Sequence, residues 1–499
     1  MFKLKVDTSY NTEIYDPAMI RYTETRRTHW DNVALRTKWR GWGKYYHRRL
    51  AEVYRFLVSP GQRVLEVGSG TGDLLAAVDP SVGVGVDFST EMVEQASKKH
   101  PDLKFIEADA HNLTALAAYG ETPFDVIILS DLLNDVWDVQ SVLEQVMQFA
   151  DSRTRIIINS YSRLWELPIA VANKLGLATP VLHQNWLTVE DLKAMLELSG
   201  CQAIRSWKEM LVPLPVPGVA PLANKYLVKL PVFRSFGLMN FIVAQPRSVP
   251  KSNESKFGRR LPSVSVIIPA RNEAGNIWKI VESMPEMGSG TELIFVEGHS
   301  KDDTYATIDR TIAENPHRRC KLLRQTGVGK GDAVRLGFAE ASGDILMILD
   351  ADLTVPPRYL TRFYDALSDG KGEFINAVRL VYPMEDQAMR FANLIGNKFF
   401  SLAFSALIGQ PIKDTLCGTK VMWKRDYERL SANRSYFGDF DPFGDFDLLF
   451  GAAKLNLKIT EIPVRYGKRT YGSTNIQRWK HGWLLLKMVL FACGRIKFV

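Results

Sequence analysis

Short apolar runs that end in polar or acidic residues recur along the chain and predict buried strands of parallel sheets. The most informative run is residues 345–349, which is followed by Asp350, Ala351 and Asp352. Because side chains alternate along an extended segment, the two carboxylates are expected on the same side. Open parallel sheets bind ligands at the carboxyl ends of their strands, so the pattern predicts a metal clamp for a diphosphate. A solvated turn is the alternative interpretation.

Two further apolar runs, residues 264–269 and 293–296, lie upstream and also end in polar groups. They place Arg271, Glu273 and Glu297 at what would be the same edge of one sheet. The segments PARNEAGNI, EGHSKDDT, GKGDAVRLGFAEASGDILMILDADL and DTLCGTK follow one another in this half of the chain. The second half is therefore predicted to be an α/β domain with its ligand site at this edge.

These motifs make residues 262–480 resemble glycosyltransferase family 2 with the GT-A fold, in the branch of polyprenyl-phosphate (dolichol-phosphate) mannosyl- and glucosyltransferases. By this resemblance, Asp350 and Asp352 hold Mg2+ or Mn2+ against the diphosphate of a nucleotide sugar. The residues implied in binding the nucleotide sugar are Pro269, Arg271, Glu273, Glu297, Lys330, Asp350, Arg469 and Ser473. The family's DDGSxDGT reads EGHSKDDT here, which leaves the base preference open.

The acceptor side of this half offers several candidate catalytic groups. Asp414 matches the family's acceptor-side motif. Arg469, Gly472 and Ser473 resemble its closing loop of arginine, glycine and serine, which implies that Arg469 binds the diphosphate bidentately. Aspartates crowd residues 438–449, and Asp445 or Asp447 is the favoured base because crowded carboxylates raise one another's pKa. Solvated loop aspartates are the alternative. A phosphate acceptor is already ionised and hardly needs a base.

Apolar runs in the first half, at residues 63–67, 82–86, 105–108 and 124–129, predict a second set of strands. A glycine-rich turn follows the first run, and glycines let a ligand approach the backbone at a helix amino terminus. The G-x-G-x-G spacing of this turn argues against a dinucleotide. Asp87 ends the second run, where an acidic residue can accept hydrogen bonds from ribose hydroxyls.

The motif EVGSGTG together with Asp87 makes residues 40–205 resemble class I S-adenosylmethionine-dependent methyltransferases of the small-molecule type. The cofactor-binding residues implied are Glu66, Gly68, Gly70, Gly72, Asp87, Asp109, Ala110 and Ser130. The catalytic base stays open, because each histidine candidate could equally be a surface or packing residue: His29, His47, His111 and His183. Residues 1–60 predict one or two helices across the sheet, either closing over a ligand or serving as plain structural cover.

The 499 residues of the chain, 46% hydrophobic and 24% charged, are enough for two or three globular domains. Residues 245–262 are rich in proline, serine and charge, which marks a linker. We therefore expect a methyltransferase domain at 1–245, a linker at 246–261 and a glycosyltransferase domain at 262–499. Both are expected to be doubly wound α/β domains, the first Rossmann-like and the second GT-A.

The net charge of +8 suits an anionic partner but also fits ordinary solubility. The four cysteines have no metal-ligand spacing, and the sequence has neither a signal peptide nor an apolar run of about 20 residues, so a cytoplasmic protein is expected. Residues 391–408 and 483–493 are apolar enough either to lie in a membrane interface or to pack as amphipathic helices. The first alternative predicts peripheral contact with the cytoplasmic face of the membrane.

The two motif sets together predict a bifunctional enzyme of cell-surface glycan or glycolipid biosynthesis. It would transfer a sugar from a nucleotide sugar to polyprenyl phosphate or to a saccharide, and a methyl group from S-adenosylmethionine to a related acceptor. One alternative is a glycosyltransferase with a non-catalytic S-adenosylmethionine-binding module for regulation or docking. Nucleic-acid methylation is another, motivated by the basic amino-terminal region; the favoured interpretation has no nucleic-acid partner.

Overall fold

The structure, a computed structural model, describes residues 17–35, 41–174, 182–247, 261–379, 391–433, 445–464, 467, 469, 471 and 478–497. They divide into two compact units, Met1–Pro246 and Arg247–Val499, each of which is described by itself. Residues 248–260 of the expected linker lie outside the described residues, so the domain boundaries stay a prediction.

The first unit is built on one seven-stranded sheet. Its strands are β1 (Arg63–Val67), β2 (Val82–Asp87), β3 (Lys104–Glu107), β4 (Val126–Ser130), β5 (Arg155–Tyr161), β6 (Cys201–Glu209) and β7 (Met239–Pro246). The strand order is β3-β2-β1-β4-β5-β7-β6; the first five strands are parallel, and β7 runs antiparallel to both β5 and β6. The apolar runs of the first half therefore predicted strands correctly, with shifts of one or two residues at β3 and β4.

Helices cover both faces of this sheet. They are α1 (Pro17–Leu35), α2 (Gly41–Leu57), α3 (Asp73–Ala77), α4 (Thr90–Lys99), α5 (Val139–Met147), α6 (Glu166–Lys174), α7 (Val189–Leu198) and α8 (Val219–Lys225). Alternate residues of β1 point to opposite faces: Leu65 packs with α5 and α7, whereas Val64 packs with α2 and α3. The buried core on each face confirms the expected doubly wound architecture.

The second unit has a seven-stranded sheet of its own. Its strands are β8 (Val264–Ala270), β9 (Thr291–Glu297), β10 (Arg319–Arg324), β11 (Ile345–Ile348), β12 (Phe374–Val378), β13 (Lys420–Trp423) and β14 (Ile459–Pro463). The strand order is β10-β9-β8-β11-β13-β12-β14, and β13 runs antiparallel between β11 and β12. The parallel part, β8 to β11, contains the predicted strands, whereas the antiparallel insertion of β13 was not expected.

The helices of the second unit are α9 (Ile277–Ser283), α10 (Thr304–Glu314), α11 (Lys330–Ala339), α12 (Leu360–Ser368), α13 (Phe391–Ile408), α14 (Lys424–Ala432), α15 (Asp445–Lys454) and α16 (Arg478–Ala492), with a π-helical turn at Cys493–Lys497. Helices α9, α10 and α12 pack on one face of the sheet, and α11 packs against β8 and β9. Helix α13 packs against α16 and, through Phe404, against Phe446 and Phe450 of α15. Within the described residues, no helix is both long and apolar enough to cross a membrane.

Candidate active sites

Asp350 and Asp352 lie in a turn just beyond the end of β11, which stops at Ile348. The expectation that strand alternation orients the two carboxylates is therefore wrong. Leu353, next in the chain, has a positive φ of 55°, a backbone conformation that costs a non-glycine residue energy and is often kept at functional sites. The turn places the two carboxylates among basic side chains that come from other segments.

Asp350 is paired with Lys330, the first residue of α11, with 2.7 Å between Oδ1 and Nζ. Burial alone would raise the pKa of Asp350, but Lys330, Lys420 and Arg379 outweigh that effect and lower it. Gly418 packs directly on this pair, and a Cβ atom there would collide with both Lys330 Nζ and Asp350 Oδ2. The glycine of DTLCGTK is thus required by the close approach of the acceptor-side motif to Asp350.

Asp352 is held by Arg469 and by Thr354. Its Oδ2 accepts a hydrogen bond from Arg469 Nη2 at 2.6 Å, and its Oδ1 accepts from the backbone N–H and the hydroxyl of Thr354 at 3.1 and 2.7 Å. Arg469 Nη1 also lies 3.9 Å from Glu273 Oε1, just past the end of β8. Arg469 therefore connects Glu273 and Asp352, which lie 79 positions apart in the sequence, and it is itself 117 positions from Asp352.

The chemistry of these donors fits a hard divalent cation. Asp350 and Asp352 supply oxygen ligands, which Mg2+ and Mn2+ prefer. In the described part of the chain, no group of three or more histidine, cysteine, aspartate or glutamate side chains could hold a metal ion by itself. An ion at this place would therefore complete its shell with phosphate oxygens and water, as Mg2+ commonly does.

The other predicted nucleotide-sugar residues lie mostly at the ends of β8 and β9. Pro269 and Glu297 belong to these two strands, Glu273 is buried shortly after β8, and Arg271 is exposed. Glu297 accepts a hydrogen bond from the Ser300 backbone N–H at 2.5 Å. Burial raises the pKa of Glu273, although the nearby Arg469 opposes this. Ser473 lies outside the described residues.

Asp414 of the acceptor-side motif is fully engaged by its neighbours. Arg379 grips it with two parallel bonds, Nε to Oδ2 at 2.7 Å and Nη2 to Oδ1 at 2.8 Å, and the Leu416 N–H donates to Oδ1 at 3.1 Å. Burial would raise the pKa of Asp414, but Arg379 more than offsets it and the pKa is lowered. A carboxylate held in this way is poorly suited to accept a proton.

The two aspartates favoured as bases belong to α15. Asp445 begins the helix, and Asp447 is 8% exposed and faces Arg335 of α11 at 4.0 Å. Asp447 and Arg335 line one small recess together with Tyr427 and Phe338. Helix α11 thus presents Lys330 to Asp350 and Arg335 to Asp447.

In the first unit, the glycine-rich turn wraps the end of β2. Gly68, Gly70 and Gly72 all have positive φ, at 77°, 50° and 74°. The Gly70 N–H donates to Asp87 Oδ2 at 2.8 Å, and the Ser89 N–H donates to Oδ1 at 3.0 Å. Burial raises the pKa of Asp87 to about 6. A side chain at these turn positions would be strained, so the glycines are needed for this backbone path.

Two buried polar atoms near this turn have no hydrogen-bond partner and therefore fit a polar cofactor. Glu66 Oε2 and Ser69 Oγ are buried and have no hydrogen-bond partner in the structure. Burial also raises the pKa of Glu66 well above its usual range. Orphaned buried polar groups are costly unless a ligand or water satisfies them. A methionine or ribose group bound at the turn would supply such partners, so the residues present fit S-adenosylmethionine.

Helix α1 lies over the carboxyl ends of the strands. Arg26 Nε and Trp30 Nε1 donate to the two carboxylate oxygens of Asp135, just after β4, at 2.8 and 2.7 Å. Asp31 is hydrogen-bonded to Ser89, two residues after Asp87. These contacts place the helix as a cover over the candidate cofactor site.

His111 is a packing residue and not an available base. The Asp138 backbone N–H donates to His111 Nε2 at 3.1 Å, so the proton of the ring lies on Nδ1. Nδ1 then donates to Asp109 Oδ1 at 2.7 Å. Burial would raise the pKa of Asp109, but its bonds with His111 lower it. Both ring nitrogens are therefore occupied in fixing the loop after β3, which also carries the buried Ala110.

The comparisons with known proteins find a separate family match in each half of the chain. Residues 58–207 match the family model described as a methyltransferase domain, and residues 265–430 match that of glycosyl transferase family 2. The chain carries one domain of each kind. The resemblances expected from the sequence are thus confirmed, and the protein is a transferase.

Three curated relatives of the chain are named as glycosyltransferases or mannosyltransferases. Glycosyltransferase AglJ of Haloferax volcanii is 26% identical over 225 residues, 45% of this chain and 69% of the relative. The dolichol-phosphate mannosyltransferase of Pyrococcus furiosus is 27% identical over 219 residues, 43% and 59% of the two chains. That of Saccharomyces cerevisiae is 36% identical over 110 residues, 21% and 41%. The chain thus spans less than two thirds of both mannosyltransferases.

Two solved structures are each similar to a part of the chain. Glucosyl-3-phosphoglycerate synthase from Mycobacterium tuberculosis, in complex with Mn2+, UDP and glucosyl-3-phosphoglycerate, is 18% identical and covers 47% of this chain and 80% of its own, with a TM-score of 0.35. Magnesium protoporphyrin IX methyltransferase from Synechocystis with bound SAH is 17% identical and covers 46% and 98%, with a TM-score of 0.30. At these TM-scores neither similarity carries an argument about this protein.

The methyltransferase domain contains a further candidate base, a carboxylate, in addition to the four histidine candidates. Asp131 follows Ser130 at the end of β4; Tyr46 OH donates to its Oδ2 at 2.7 Å, and Asn159 Nδ2 donates to its Oδ1 at 2.5 Å. Asp131 has a positive φ of 54°, and a Cβ atom on Gly68 would lie 2.9 Å from Leu132, so this loop packs on the glycine turn. Burial raises the pKa of Asp131 to about 7. The sequence showed the residue but not its partners, which come from α2 and β5.

Proposed function

We propose that the protein is a bifunctional enzyme of cell-surface glycan or glycolipid synthesis. Its glycosyltransferase domain transfers a sugar from a nucleotide sugar to polyprenyl phosphate, and its methyltransferase domain transfers a methyl group from S-adenosylmethionine to a related acceptor. The observation that carries the proposal is the cluster in which Asp350 and Asp352 are each paired with a basic side chain of another segment. The similarity to two dolichol-phosphate mannosyltransferases supports a lipid-phosphate acceptor.

The charged cluster suits a diphosphate with its metal ion. Asp350 and Asp352 would hold Mg2+ or Mn2+, which supplies charge compensation for the leaving nucleotide when it is bound. Lys330 and Arg469, now paired with those carboxylates, are long enough to turn to phosphate oxygens instead. Arg469 can bind phosphate through two parallel N–H bonds, and Lys330 acts as a point charge at the start of α11. Pro269, Arg271, Glu273 and Glu297 complete the nucleotide side.

The acceptor side favours an anionic substrate. Lys420 and Arg379 both act on Asp350, and Lys420 Nζ is fixed by the Cys417 carbonyl at 2.6 Å and by Asn376 at 3.1 Å. Positive charge next to the sugar site stabilises a phosphate acceptor more than a neutral saccharide. We assign Asp414 to holding Arg379 in place. A lipid phosphate needs no base; if the acceptor were a hydroxyl, Asp445 or Asp447 would be the first candidates.

In the methyltransferase domain we assign proton removal to Asp131. The glycine turn, Glu66, Asp87, Asp109 with Ala110, and Ser130 would hold S-adenosylmethionine, which supplies the electrophilic methyl group. A pKa of about 7 lets Asp131 accept a proton from an acceptor hydroxyl near neutral pH. Tyr46 and Asn159 orient the carboxylate. The alternative of a non-catalytic binding module would not explain why Asp131 is kept in a strained backbone conformation.

The experiment measures nucleoside diphosphate released by the purified chain with Mg2+ or Mn2+ across a panel of nucleotide sugars, with and without polyprenyl phosphate. Lipid-dependent release with one preferred sugar supports the proposal, and the product is then offered with S-adenosylmethionine as the methyl acceptor. Release that needs a saccharide instead would reassign the acceptor. No release with any sugar would contradict the glycosyltransferase activity.

The location follows from the same proposal. A polyprenyl-phosphate acceptor lies in the membrane, and nucleotide sugars are cytoplasmic substrates, so we place the enzyme at the cytoplasmic face as a peripheral protein. Phe399, Leu402, Trp483 and Leu490 of α13 and α16 are exposed and could reach the interface. Fractionation of cells into cytosol and salt-washed membranes would test this location.

A further inference from the structure

The first unit carries an exposed apolar surface that neither catalytic site uses. We call it the apolar platform and define it as residues 216–236, between β6 and β7, together with residues 163–174, which include α6. About half of the exposed large apolar side chains in the described part of the chain lie here. They include Leu167, Val219, Leu222, Val232, Phe233 and Phe236.

The two segments of the platform meet where the start of residues 163–174 contacts the end of residues 216–236. Trp165 Nε1 donates to the Phe236 carbonyl at 2.8 Å. Lys208 Nζ bridges them a second time, since it donates to Ser162 Oγ at 3.0 Å and to the Ser235 carbonyl at 3.1 Å. The apolar side chains near Trp165 and Phe236 are therefore neighbours on the surface. Contiguous exposed patches of this kind usually mark an interaction site, whereas single exposed apolar residues do not.

The platform is fixed from below, so its exposure belongs to an ordered surface. Asn224 is 1% exposed; its Oδ1 accepts from the Leu211 and Val212 N–H groups at 2.7 and 2.9 Å, and its Nδ2 donates to Tyr45 OH at 3.0 Å. Ala220 and Val228 are fully buried against the domain. The segment thus carries apolar side chains on its inner face and on its outer face, and apolar side chains on both faces favour cover on both.

The charge around the platform indicates what covers it. From Met210 to Arg247 the sequence contains no aspartate or glutamate. Lys225 and Arg234 are exposed among the apolar side chains, and Arg163 and Lys174 are exposed at the two ends of the other segment, whose single acidic residue, Glu166, is partly buried. Aromatic and aliphatic side chains surrounded by lysine and arginine match the chemistry of an anionic lipid surface, because the long basic stems can lie on apolar groups while their charges reach phosphate.

We propose that the methyltransferase domain docks on an anionic lipid bilayer through the apolar platform. A second copy of the chain is the weaker occupant, because a symmetric interface would bring the same basic side chains of two copies together. The proposal goes beyond the assigned activities and does not depend on them. It has one consequence for them: Asn224 binds Tyr45 on α2, the helix whose Tyr46 holds Asp131, so the platform is joined to the methyl-transfer site.

The test is sedimentation of the full chain with lipid vesicles, either phosphatidylcholine alone or phosphatidylcholine mixed with phosphatidylglycerol. We expect binding to the mixed vesicles that weakens with added salt. Replacing Phe233→Ser together with Phe236→Ser should weaken partitioning on the order of tenfold or more, because two aromatic groups lose their burial. Replacing Lys225→Glu together with Arg234→Glu should abolish the preference for the anionic vesicles.

Matched variants separate the platform from other surfaces. Leu198→Ser removes a side chain that is 70% exposed elsewhere in the same unit, and binding should not change. Phe399→Ser with Leu402→Ser changes the exposed surface of α13, and the platform should still bind mixed vesicles in this variant. Thermal unfolding of each variant verifies that it is folded, and sedimentation without vesicles measures its oligomeric state.

Three results would overturn the proposal. The first is a wild-type chain that sediments with neither kind of vesicle. The second is vesicle binding that the platform variants leave unchanged, which would move membrane contact to another surface. The third is a wild-type dimer that the Phe233→Ser and Phe236→Ser changes convert to a monomer without changing vesicle binding, which would make the platform an interface between copies of the chain.

Discussion

The two candidate sites differ in the groups that bind their carboxylates: cations in one site and neutral hydrogen-bond donors in the other. In the glycosyltransferase domain, Asp350 and Asp352 are paired with the cations Lys330 and Arg469, and the pKa of Asp350 is lowered. In the methyltransferase domain, Asp87 and Asp131 are held by backbone amides, a phenol and an amide, and burial raises their pKa to about 6 and about 7. Under the proposed function, the first arrangement keeps charge ready for a metal and a diphosphate, whereas the second lets Asp131 exchange a proton and Asp87 hold the cofactor.

The largest effect is expected from Asp352→Ala, which tests whether the two sites work independently. Removal of this carboxylate takes away a proposed metal ligand and the hydrogen bond that Arg469 donates to it, so sugar transfer should fall at least about 1,000-fold. Methyl transfer should be unchanged, because the change lies in the other unit. Nucleoside diphosphate release and S-adenosylhomocysteine formation measure the two reactions. Asp309→Ala, an exposed aspartate on α10, is the control, and loss of both reactions in Asp352→Ala would contradict independent sites.

Asp131→Asn tests the other side of the comparison. Without a base, methyl transfer should fall roughly 100- to 1,000-fold while S-adenosylmethionine still binds. The wild-type rate should rise as pH increases through about 7, because Asp131 must lose its proton before it can act as a base, and the variant should lack this rise. A pH series of S-adenosylhomocysteine formation measures both effects. Asp102→Asn is an exposed control, and an unchanged rate in Asp131→Asn would exclude the assigned role.

Gly418→Ala should damage sugar transfer without removing any functional group. The added Cβ would meet Lys330 Nζ and Asp350 Oδ2, and displacement of these groups should lower the rate roughly 100-fold. Gly494→Ala is the matched control, because a Cβ at that position meets nothing within 4 Å. Full activity in Gly418→Ala would show that the acceptor-side motif does not need its close contact with Asp350.

Tyr46→Phe should have the smallest effect on methyl transfer, and it tests whether the pKa of Asp131 controls the reaction. The Tyr46 hydroxyl donates to the carboxylate and so favours its charged form. Its loss should raise the pKa of Asp131 and move the pH dependence of methyl transfer upward by about one pH unit. A purely structural role for Tyr46 would lower the rate at every pH without moving the curve.

The local sequence was sufficient to predict seven of the parallel strands, the glycine turn and both families, whereas the parallel strands β5, β10 and β14 were not predicted. Residues 63–67 and 264–269 are mainly apolar and strand-sized, and a run of this kind predicts a strand that is buried on both faces. The pairing of Arg469 with Asp352 and of Tyr46 with Asp131 joins residues 117 and 85 positions apart, so no local pattern indicates it. The insertion of β13 between β11 and β12 was missed for the same reason. His111 was misleading because its type suggested a base, whereas its two hydrogen bonds hold a loop.

The most direct test of the difference between the two sites is removal of divalent metal. Both products are measured from one preparation of the full chain, before and after treatment with a chelator and again after Mn2+ is restored. The account predicts that nucleoside diphosphate release is lost with the chelator and recovers with Mn2+, while S-adenosylhomocysteine formation from a supplied acceptor stays constant. Sugar transfer that survives the chelator, or methyl transfer that is lost with it, would contradict the account.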